Sequence, residues 1–294
     1  MSQQRLPVPP VTPRPASTTL VVRDGADGLE VLMVKRSARA SFMPGAYVFP
    51  GGAVDINDAS LAHQAACDEG APQLAQRIGV VCQVGEQGQA YAVAALRECF
   101  EECGLWLGAL AHGQAPDGGW APLRARLHGG ESMAALASHV GGPLATSVLQ
   151  PWSHWVTPVG LPKRFDTLFF VALAPPGQQP EPEATETTSL AWVRPAVALD
   201  EHARGSFPME FATVSTVQSL RPYASAAPLL AHAAAIASLP PLQPRLRLDA
   251  QGQIDGVLLP GQPGYDSAFG ADLGADSALS HRAGRILSPG GSRL

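Results

Sequence analysis

Three glutamates and an arginine stand close together in the run Arg97-Glu98-Cys99-Phe100-Glu101-Glu102. At about 100° per residue along an α-helix, the three carboxylates share one face, and Arg97 is spaced to pair with Glu101. Carboxylate oxygens are ligands that Mg²⁺ and Mn²⁺ prefer, and such an ion can join carboxylates to a substrate phosphate. The spacing therefore predicts a helix whose acidic face holds a divalent metal against a phosphate.

The opposite face of the same helix is apolar, which predicts that the helix is anchored in a core. We expect it to run from Gln89 to Cys103 and to end at Gly104 in a left-handed conformation. The four cysteines lack a metal-site spacing and the histidines form no cluster, so a zinc site is not expected. The alternative for the glutamates is a solvated acidic face with no metal.

The second half of this segment, Arg97 to Leu105, resembles the Nudix box, whose pattern Arg-Glu-x-x-Glu-Glu-x-Gly it matches throughout. Upstream, Phe49-Pro50-Gly51-Gly52 resembles the start of the box. Five residues separate Gly52 from Asp58, which stands where the family has a glutamate. A further 38 residues separate Asp58 from Arg97, far more than the family pattern has there. Residues 59–89 are therefore expected to be an insertion within the box, whose role as a lid, a dimer contact or part of a substrate site stays open.

Two further segments favour one branch of the family. Trp155-Val156-Thr157-Pro158 and the run from Lys163 to Thr167 are similar to the peroxisomal-type coenzyme A diphosphatases of animals, which also carry a long insertion in the box. The spacing from Arg36 to Gly52 resembles that of bacterial coenzyme A diphosphatases, although Ala40-Ser41 replaces their Leu-Arg. The resemblance implies hydrolysis of coenzyme A or acyl-coenzyme A to 3′,5′-ADP and 4′-phosphopantetheine. ADP-ribose, NADH and other diphosphates stay open as substrates.

The resemblance also implies roles for individual residues. Mg²⁺ or Mn²⁺ would be bound by Glu98, Glu101, Glu102 and the backbone carbonyl of Gly52. Arg97 would hold the glutamates in register, and Asp58 would cap that network. The implied substrate-binding residues are Arg36, Gly51, Gly52, Lys163 and Arg164. The general base would be a box glutamate or a carboxylate from the proline-rich loop, where Glu186 and Glu183 are the candidates and a solvated loop is the alternative.

Strands and helices alternate along the chain, which predicts an α/β protein. Together with the resemblance, this implies a Nudix-type α/β/α sandwich with a mixed sheet and additional C-terminal helices. We expect a flexible arm over residues 1–15, one domain over 16–268 with its C-terminal elaboration at 204–268, and a loose tail over 269–294.

Composition narrows the class of partner. A formal net charge of −5 gives no sequence-wide basic field, so we expect a small nucleotide diphosphate as ligand and no nucleic acid. The sequence has no run of about 18 apolar residues and no apolar signal core, so we expect a cytoplasmic protein without membrane contact. The C-terminal Ser292-Arg293-Leu294 resembles a peroxisomal address, with chance as the favoured alternative. Family members commonly dimerise, so a homodimer is an open expectation.

A different class of function also fits the fold. A Nudix-fold nucleotide sensor or interaction module would bind its ligand without turnover. Such modules can lose box carboxylates, whereas Glu98, Glu101 and Glu102 are all present here, which favours catalysis.

Overall fold

Seven strands of the described chain form one sheet. The computed structural model describes residues 11–38, 44–108, 116–183 and 187–269, so Ala40-Ser41, Glu186 and residues 270–294 lie outside the described residues. The strands of the sheet are β1 (Arg14–Gly25), β2 (Gly28–Arg36), β3 (Tyr47–Val48), β4 (Gly51–Ala53), β5 (Gln150–Val156), β6 (Phe165–Leu173) and β7 (Thr187–Val193).

The sheet is mixed, as the sequence predicts. Its strand order is β3-β2-β1-β6-β5, with β4 pairing to β1 and β7 pairing to β2. β1 and β6 run parallel, in register from Arg14 opposite Phe165 to Val22 opposite Leu173. The other neighbouring strands of this sheet are antiparallel. The parallel pair β1 and β6 thus lies in the interior of the sheet, with antiparallel strands on both sides.

Helices cover both faces of the sheet. Their bounds are α1 (Leu61–Ala66), α2 (Ala71–Leu74), α3 (Gly88–Cys103), α4 (Ala121–His128), α5 (Met133–Val140), α6 (Pro195–Ala203), α7 (Phe211–Leu220) and α8 (Ala226–Ala234). A π-helical segment, Ala75–Val80, follows α2, and a separate hairpin is formed by β8 (Arg245–Leu248) and β9 (Ile254–Leu258). No pattern in the sequence predicted this hairpin.

The alternation of side chains along β1 creates two cores. Val21 faces a cluster that contains the apolar side of α3, while Leu20 and Val22 face a second cluster that contains residues of α6, α7 and α8. Successive residues of a strand point to opposite faces, so one buried strand serves both clusters. The result is the predicted α/β/α sandwich with extra C-terminal helices.

The apolar face of α3 is buried as predicted. Leu96, Cys99, Phe100 and Cys103 are all at most 3% exposed. The helix ends where the sequence places its end, because Gly104 adopts a φ of 68° and its N–H donates to the carbonyl of Phe100. Burial of this face fixes the direction in which the acidic face points.

The chain is ordered in the sheet from Arg14, earlier than the predicted end of the N-terminal arm at residue 15. The N–H of Arg14 donates to the carbonyl of Arg164 over 2.9 Å, and the carbonyl of Pro15 accepts from Val54 over 2.9 Å. Proline lacks a backbone donor but keeps its acceptor, so its presence does not prevent pairing at this edge. The last two residues of the predicted arm therefore belong to β1. At the other end, Phe269 donates to the carbonyl of Leu246, so the predicted tail begins with a paired residue.

The box insertion packs into the core next to α3. Leu74, Ile78 and Cys82 belong to the same apolar cluster as the buried face of that helix. Arg77 fixes the insertion further, since it pairs with Glu69 and donates to the carbonyl of Thr146 over 2.8 Å. The insertion is thus an integral part of the domain.

A buried histidine joins the insertion to the sheet. Nδ1 of His154 lies 2.9 Å from the carbonyl oxygen of Cys82, and its Nε2 is hydrogen-bonded to the carboxylate of Asp166. The residue is 4% exposed. Replacement of His154 by an apolar residue would leave the carbonyl of Cys82 without its side-chain donor. It would also remove the contact between β5 and the residues that follow the π-helical segment.

We expect His154→Leu to lower the free energy of unfolding by about 2 to 3 kcal/mol, because buried polar partners are left unsatisfied. Urea denaturation measures this change, and hydrogen exchange over residues 75–82 should accelerate. His139→Leu is the control, because that side chain is 48% exposed and its ion pair is on the surface. Equal effects of the two substitutions, with unchanged exchange in the insertion, would contradict the assigned role of His154.

Candidate active site

A cavity of about 630 Å³ opens along the acidic face of α3. Its walls come from β1, the end of β3 and the following β4, β6, α3, α7 and the segment before β7. The lining residues are Ala16, Thr18, Arg36, Val48, Phe49, Gly51, Gly52, Ala53, Arg97, Glu98, Glu101, Glu102, His128, Lys163, Phe165, Thr167, Phe169, Glu183 and Thr213. Nine of the twelve residues for which the sequence predicts a role line this cavity; Asp58 and Arg164 do not, and Glu186 lies outside the described residues.

Arg97 is the centre of the polar network in this cavity. Its Nη1 lies 2.7 Å from Glu98 Oε1 and 3.3 Å from Glu101 Oε2, the pair expected from the helical spacing. Its Nη2 donates to the carbonyl of Ala53 over 2.8 Å. One guanidinium thus binds two glutamates of α3 and the backbone of β4.

Asp58 completes this network from the other side of the insertion. Its Oδ1 lies 3.1 Å from Arg97 Nε and its Oδ2 lies 3.0 Å from Arg97 Nη2. Asp58 is 1% exposed, and it also accepts from the N–H of Asp55 in a capping box at a short 3-10 turn, Ile56–Ala59. The turn brings the aspartate directly to the guanidinium, which explains why a shorter acid than glutamate serves at this position.

Two glycines allow the backbone of β4 to approach α3 closely. The N–H of Gly51 donates to Glu102 Oε2 over 3.0 Å. A Cβ at Gly51 would overlap the carbonyl oxygen of Ser17, and a Cβ at Gly52 would lie 2.5 Å from the carboxyl carbon of Glu98. Any larger residue at either position would push the strand or the glutamate away.

Burial changes the acidity of one glutamate. Desolvation raises the pKa of Glu98 from 4.5 to about 7, against the opposing effect of Arg97, and the charges of Glu101 and Asp58 add to the rise. Three acids, Asp58, Glu98 and Glu101, share the guanidinium of Arg97, and Glu102 adds a fourth carboxylate to the cavity. A dication in the cavity would offset the remaining negative charge.

The donor set fits Mg²⁺ or Mn²⁺ in kind, because carboxylate and backbone oxygens are hard ligands. Among the described residues, however, no three acidic, imidazole or thiol side chains converge on one point as a finished coordination sphere. Glu98 and Glu101 are turned toward Arg97, and Glu102 accepts from Gly51. Metal binding at these residues would require the carboxylates to turn within the cavity.

The predicted basic residues fall into two groups. Arg36 and Lys163 line the cavity. Arg164 is 7% exposed, and its Nε and Nη1 donate to the carbonyls of Thr157 and Val11. It therefore ties the N-terminal segment to the loop before β6 and is not among the residues that line the cavity. Its role in substrate binding stays a prediction.

The loop carboxylates also have different positions. Glu183 lines the cavity, and its N–H donates to the carbonyl of Glu102 over 3.1 Å. Glu186, the other candidate for the general base, lies outside the described residues. The backbone bond places Glu183 next to the box glutamates, whereas the sequence showed only an acidic proline-rich loop.

Two residues of α4 contact the site and were not predicted. His128 Nδ1 lies 3.6 Å from Glu101 Oε1, and Arg124 Nε donates to the carbonyl of Glu101 over 2.8 Å. Neither residue has a sequence spacing that relates it to α3. Only the packing of α4 against the end of that helix brings them together.

Comparison with known proteins gives the family. The profile of the NUDT19 Nudix domain matches residues 11–210, which include the whole network around Arg97. This chain belongs to the Nudix family. A crystal structure of a NUDIX hydrolase from Alicyclobacillus acidocaldarius is 31% identical, covers 75% of this chain and 96% of that chain, and superposes with a TM-score of 0.63.

Sequence relatives point to one branch of the family. The acyl-coenzyme A diphosphatase NUDT19 of Gallus gallus is 29% identical over 213 residues, which cover 58% of this chain and 55% of the chicken protein. The human acyl-coenzyme A diphosphatase NUDT19 is 26% identical over 211 residues, which cover 60% of this chain and 56% of the human protein. The chain thus spans little more than half the length of these relatives. In the part of the chain that the structure describes, no helix is both long and apolar enough to cross a membrane.

The raised pKa of Glu98 has a consequence for stability in the Nudix site. Between about pH 4.5 and about pH 7 the folded protein retains a proton that the unfolded chain has released. The free energy of unfolding therefore falls as the pH rises through this window, by up to about 3 kcal/mol. We expect Glu98→Gln to be more stable than the wild type at pH 8 in EDTA, with a difference that shrinks toward pH 4.5.

Urea denaturation across this pH range, with metal removed, measures the difference. Glu86→Gln is the matched control, because Glu86 is exposed on the insertion and outside the cavity. Parallel pH profiles of the wild type and Glu98→Gln would show that burial of Glu98 does not perturb its ionisation.

Proposed function

We propose that the chain is a Mg²⁺- or Mn²⁺-dependent diphosphatase that cleaves coenzyme A or acyl-coenzyme A to 3′,5′-ADP and (acyl-)4′-phosphopantetheine. The observation that carries the proposal is the cavity itself. Its lining residues include Glu98, Glu101 and Glu102 together with the basic side chains of Arg36 and Lys163. Carboxylates that can hold a divalent metal, in one cavity with basic side chains, suit a substrate that carries several phosphates.

The residues have separate roles in this proposal. Glu98, Glu101, Glu102 and the carbonyl of Gly52 would hold the divalent ions, which would supply charge neutralisation at the phosphoryl oxygens and activation of water. Arg97, supported by Asp58, keeps the glutamates in position. Arg36 and Lys163 bind phosphate oxygens, and the backbone of Gly51 and Gly52 lets the substrate approach α3 closely.

The reaction is the hydrolysis of a phosphoric anhydride. The oxygen of water forms a bond to one phosphorus while the bridging P–O bond breaks, and the bonding electrons leave with the second phosphate. Glu183 takes the proton from the attacking water in this proposal. Its backbone bond to Glu102 keeps its side chain at the cavity wall, where a general base must lie.

Coenzyme A is favoured among the possible diphosphates by the relatives, two of which are acyl-coenzyme A diphosphatases. The identities below 30% leave the substrate as a proposal, with ADP-ribose and NADH as the competing members of the same reaction class. A cytoplasmic location and a homodimer remain predictions from the sequence.

We expect wild-type protein with Mg²⁺ or Mn²⁺ to release 3′,5′-ADP and 4′-phosphopantetheine from coenzyme A. Glu102→Gln should lower this rate by at least about a hundredfold, because it removes a charge that holds metal at the transition state. Chromatography of the products from a panel of coenzyme A, acetyl-coenzyme A, NADH, ADP-ribose and diadenosine polyphosphates measures both effects. Glu86→Gln is again the control and should retain the wild-type rate.

The panel separates the alternatives. Cleavage of another member, abolished by Glu102→Gln, would preserve the mechanism and replace the substrate. Binding of one member without metal and without turnover of any member would identify a nucleotide sensor.

The general base is tested by comparing two glutamates of the same loop. We expect Glu183→Gln to lower kcat by about a hundredfold, a typical effect of removing a general base, and to leave the affinity for Mn²⁺ unchanged. Paramagnetic resonance titration of Mn²⁺ measures that affinity. Glu186→Gln should retain most activity; a larger loss in Glu186→Gln would transfer the role to that residue, and weakened Mn²⁺ binding in Glu183→Gln would make Glu183 a metal ligand.

A further inference from the structure

A second cavity, of about 460 Å³, lies directly beside the first. It is formed by the turn before α4, the exposed side of that helix and the segment from Gln179 to Glu183. His128 and Glu183 line both cavities. The two spaces therefore meet at a shared boundary.

That boundary lies at the acidic face of α3. Glu183 is bonded through its N–H to the carbonyl of Glu102 over 3.1 Å. His128 Nδ1 lies 3.6 Å from Glu101 Oε1. A ligand that extends from one cavity into the other must pass the glutamates at which cleavage is proposed.

The first cavity has the chemistry of a phosphorylated nucleoside site. Arg36 and Lys163 supply positive charge, and the partly exposed Phe165 supplies aromatic surface beside the largely buried Phe49 and Phe169. Aromatic rings bind the faces of bases, and basic side chains bind phosphate.

The second cavity has a different chemistry. Arg124 lines this cavity and uses Nε and Nη1 to donate to the backbone carbonyls of Glu101 and Glu181, while its Nη2 is buried without a hydrogen-bond partner among the described residues. The side chains of Glu181 and Glu183 add negative charge, which opposes a further phosphate. The remaining polar surface includes the amide of Gln179 and the backbone of the Gly118-Gly119 turn, beside the ring of Trp120. Such a surface suits an uncharged chain with amide groups.

We propose that the second cavity binds the pantetheine arm of the substrate, while the first binds the nucleoside with its 3′-phosphate. The diphosphate then lies at the shared boundary, next to Glu101, Glu102 and Glu183. This assignment rests on the proposed function. Both volumes lie within the range of about 300 to 1,000 Å³ that small-molecule sites occupy.

The two reaction products are probes for the two cavities. Ala125 is exposed on α4 and lines the second cavity, so Ala125→Trp fills that space without disturbing the core. Isothermal titration calorimetry with Mg²⁺ should show that Ala125→Trp weakens 4′-phosphopantetheine binding at least about tenfold and changes 3′,5′-ADP binding less than about twofold. Lys163→Ala, in the first cavity, should show the reverse pattern.

One control variant and one further test variant accompany Ala125→Trp. Ala227→Trp places the same bulk on an exposed position of α8, outside both cavities, and should bind both products as the wild type does. Gln179→Ala, at an exposed position, should raise the KM for coenzyme A without lowering the melting temperature.

The outcomes separate this inference from the function on which it rests. Cleavage of coenzyme A together with weakened 3′,5′-ADP binding in Ala125→Trp would reverse the assignment and overturn it. Unchanged binding of both products in that variant would remove the second cavity from the substrate site. If the wild type does not cleave coenzyme A, the proposed function fails, and the assignment falls with it.

Discussion

The ion pair between Arg97 and Asp58 is the interaction on which the rest of the site depends. It joins α3 to the segment after β4 across the 38 residues that separate the two side chains in sequence. Asp58 is almost fully buried, and a buried charge that loses its partner is strongly unfavourable. Because Asp58 precedes the insertion and Arg97 follows it, the pair holds the two ends of the insertion together and positions the glutamates of α3 at the same time. The Nudix box can contain an insertion at this point because the two residues that flank it, Asp58 and Arg97, stay in contact.

In the same network, carboxylates outnumber the guanidinium that pairs with them. Arg97 is shared by Asp58, Glu98 and Glu101, so each acid receives only part of its compensation. Burial then favours the neutral form of Glu98, which would be unfavourable in a residue selected for stability alone. Sites of function commonly carry such unfavourable charge, and the surrounding fold holds it in place. Here the holding elements are the buried face of α3 and the close approach of Gly51 and Gly52.

The sequence predicted the parts of this site that lie on one helix or in one motif. The two faces of α3, its end at Gly104 and the partnership of Asp58 with Arg97 follow from helical spacing and from the family pattern. Arg164 could not be distinguished from Lys163 in this way, because neighbouring residues at the start of a strand point in different directions. His128 and Arg124 were missed because their proximity to Glu101 depends on how α4 packs, which no local pattern encodes. The strand at Arg14 was missed because prolines conceal its period, although its pairing uses the N–H of Arg14 and the carbonyl of Pro15, which a proline residue retains.

The positions of the cavities also bear on what the insertion does. None of residues 59–89, all of which the structure describes, is among those that line either cavity. Its apolar side chains Leu74, Ile78 and Cys82 are instead buried against α3, and its end is joined to the sheet through His154. These contacts make the insertion a support for α3, a role that the sequence did not suggest, whereas a lid or a part of the substrate site would need residues that line a cavity. Under the proposed function, discrimination between diphosphates then falls to elements that line the cavities, among them β6, α4, α7 and the segment before β7. Variation in those elements can change the substrate while the Arg97 network stays the same.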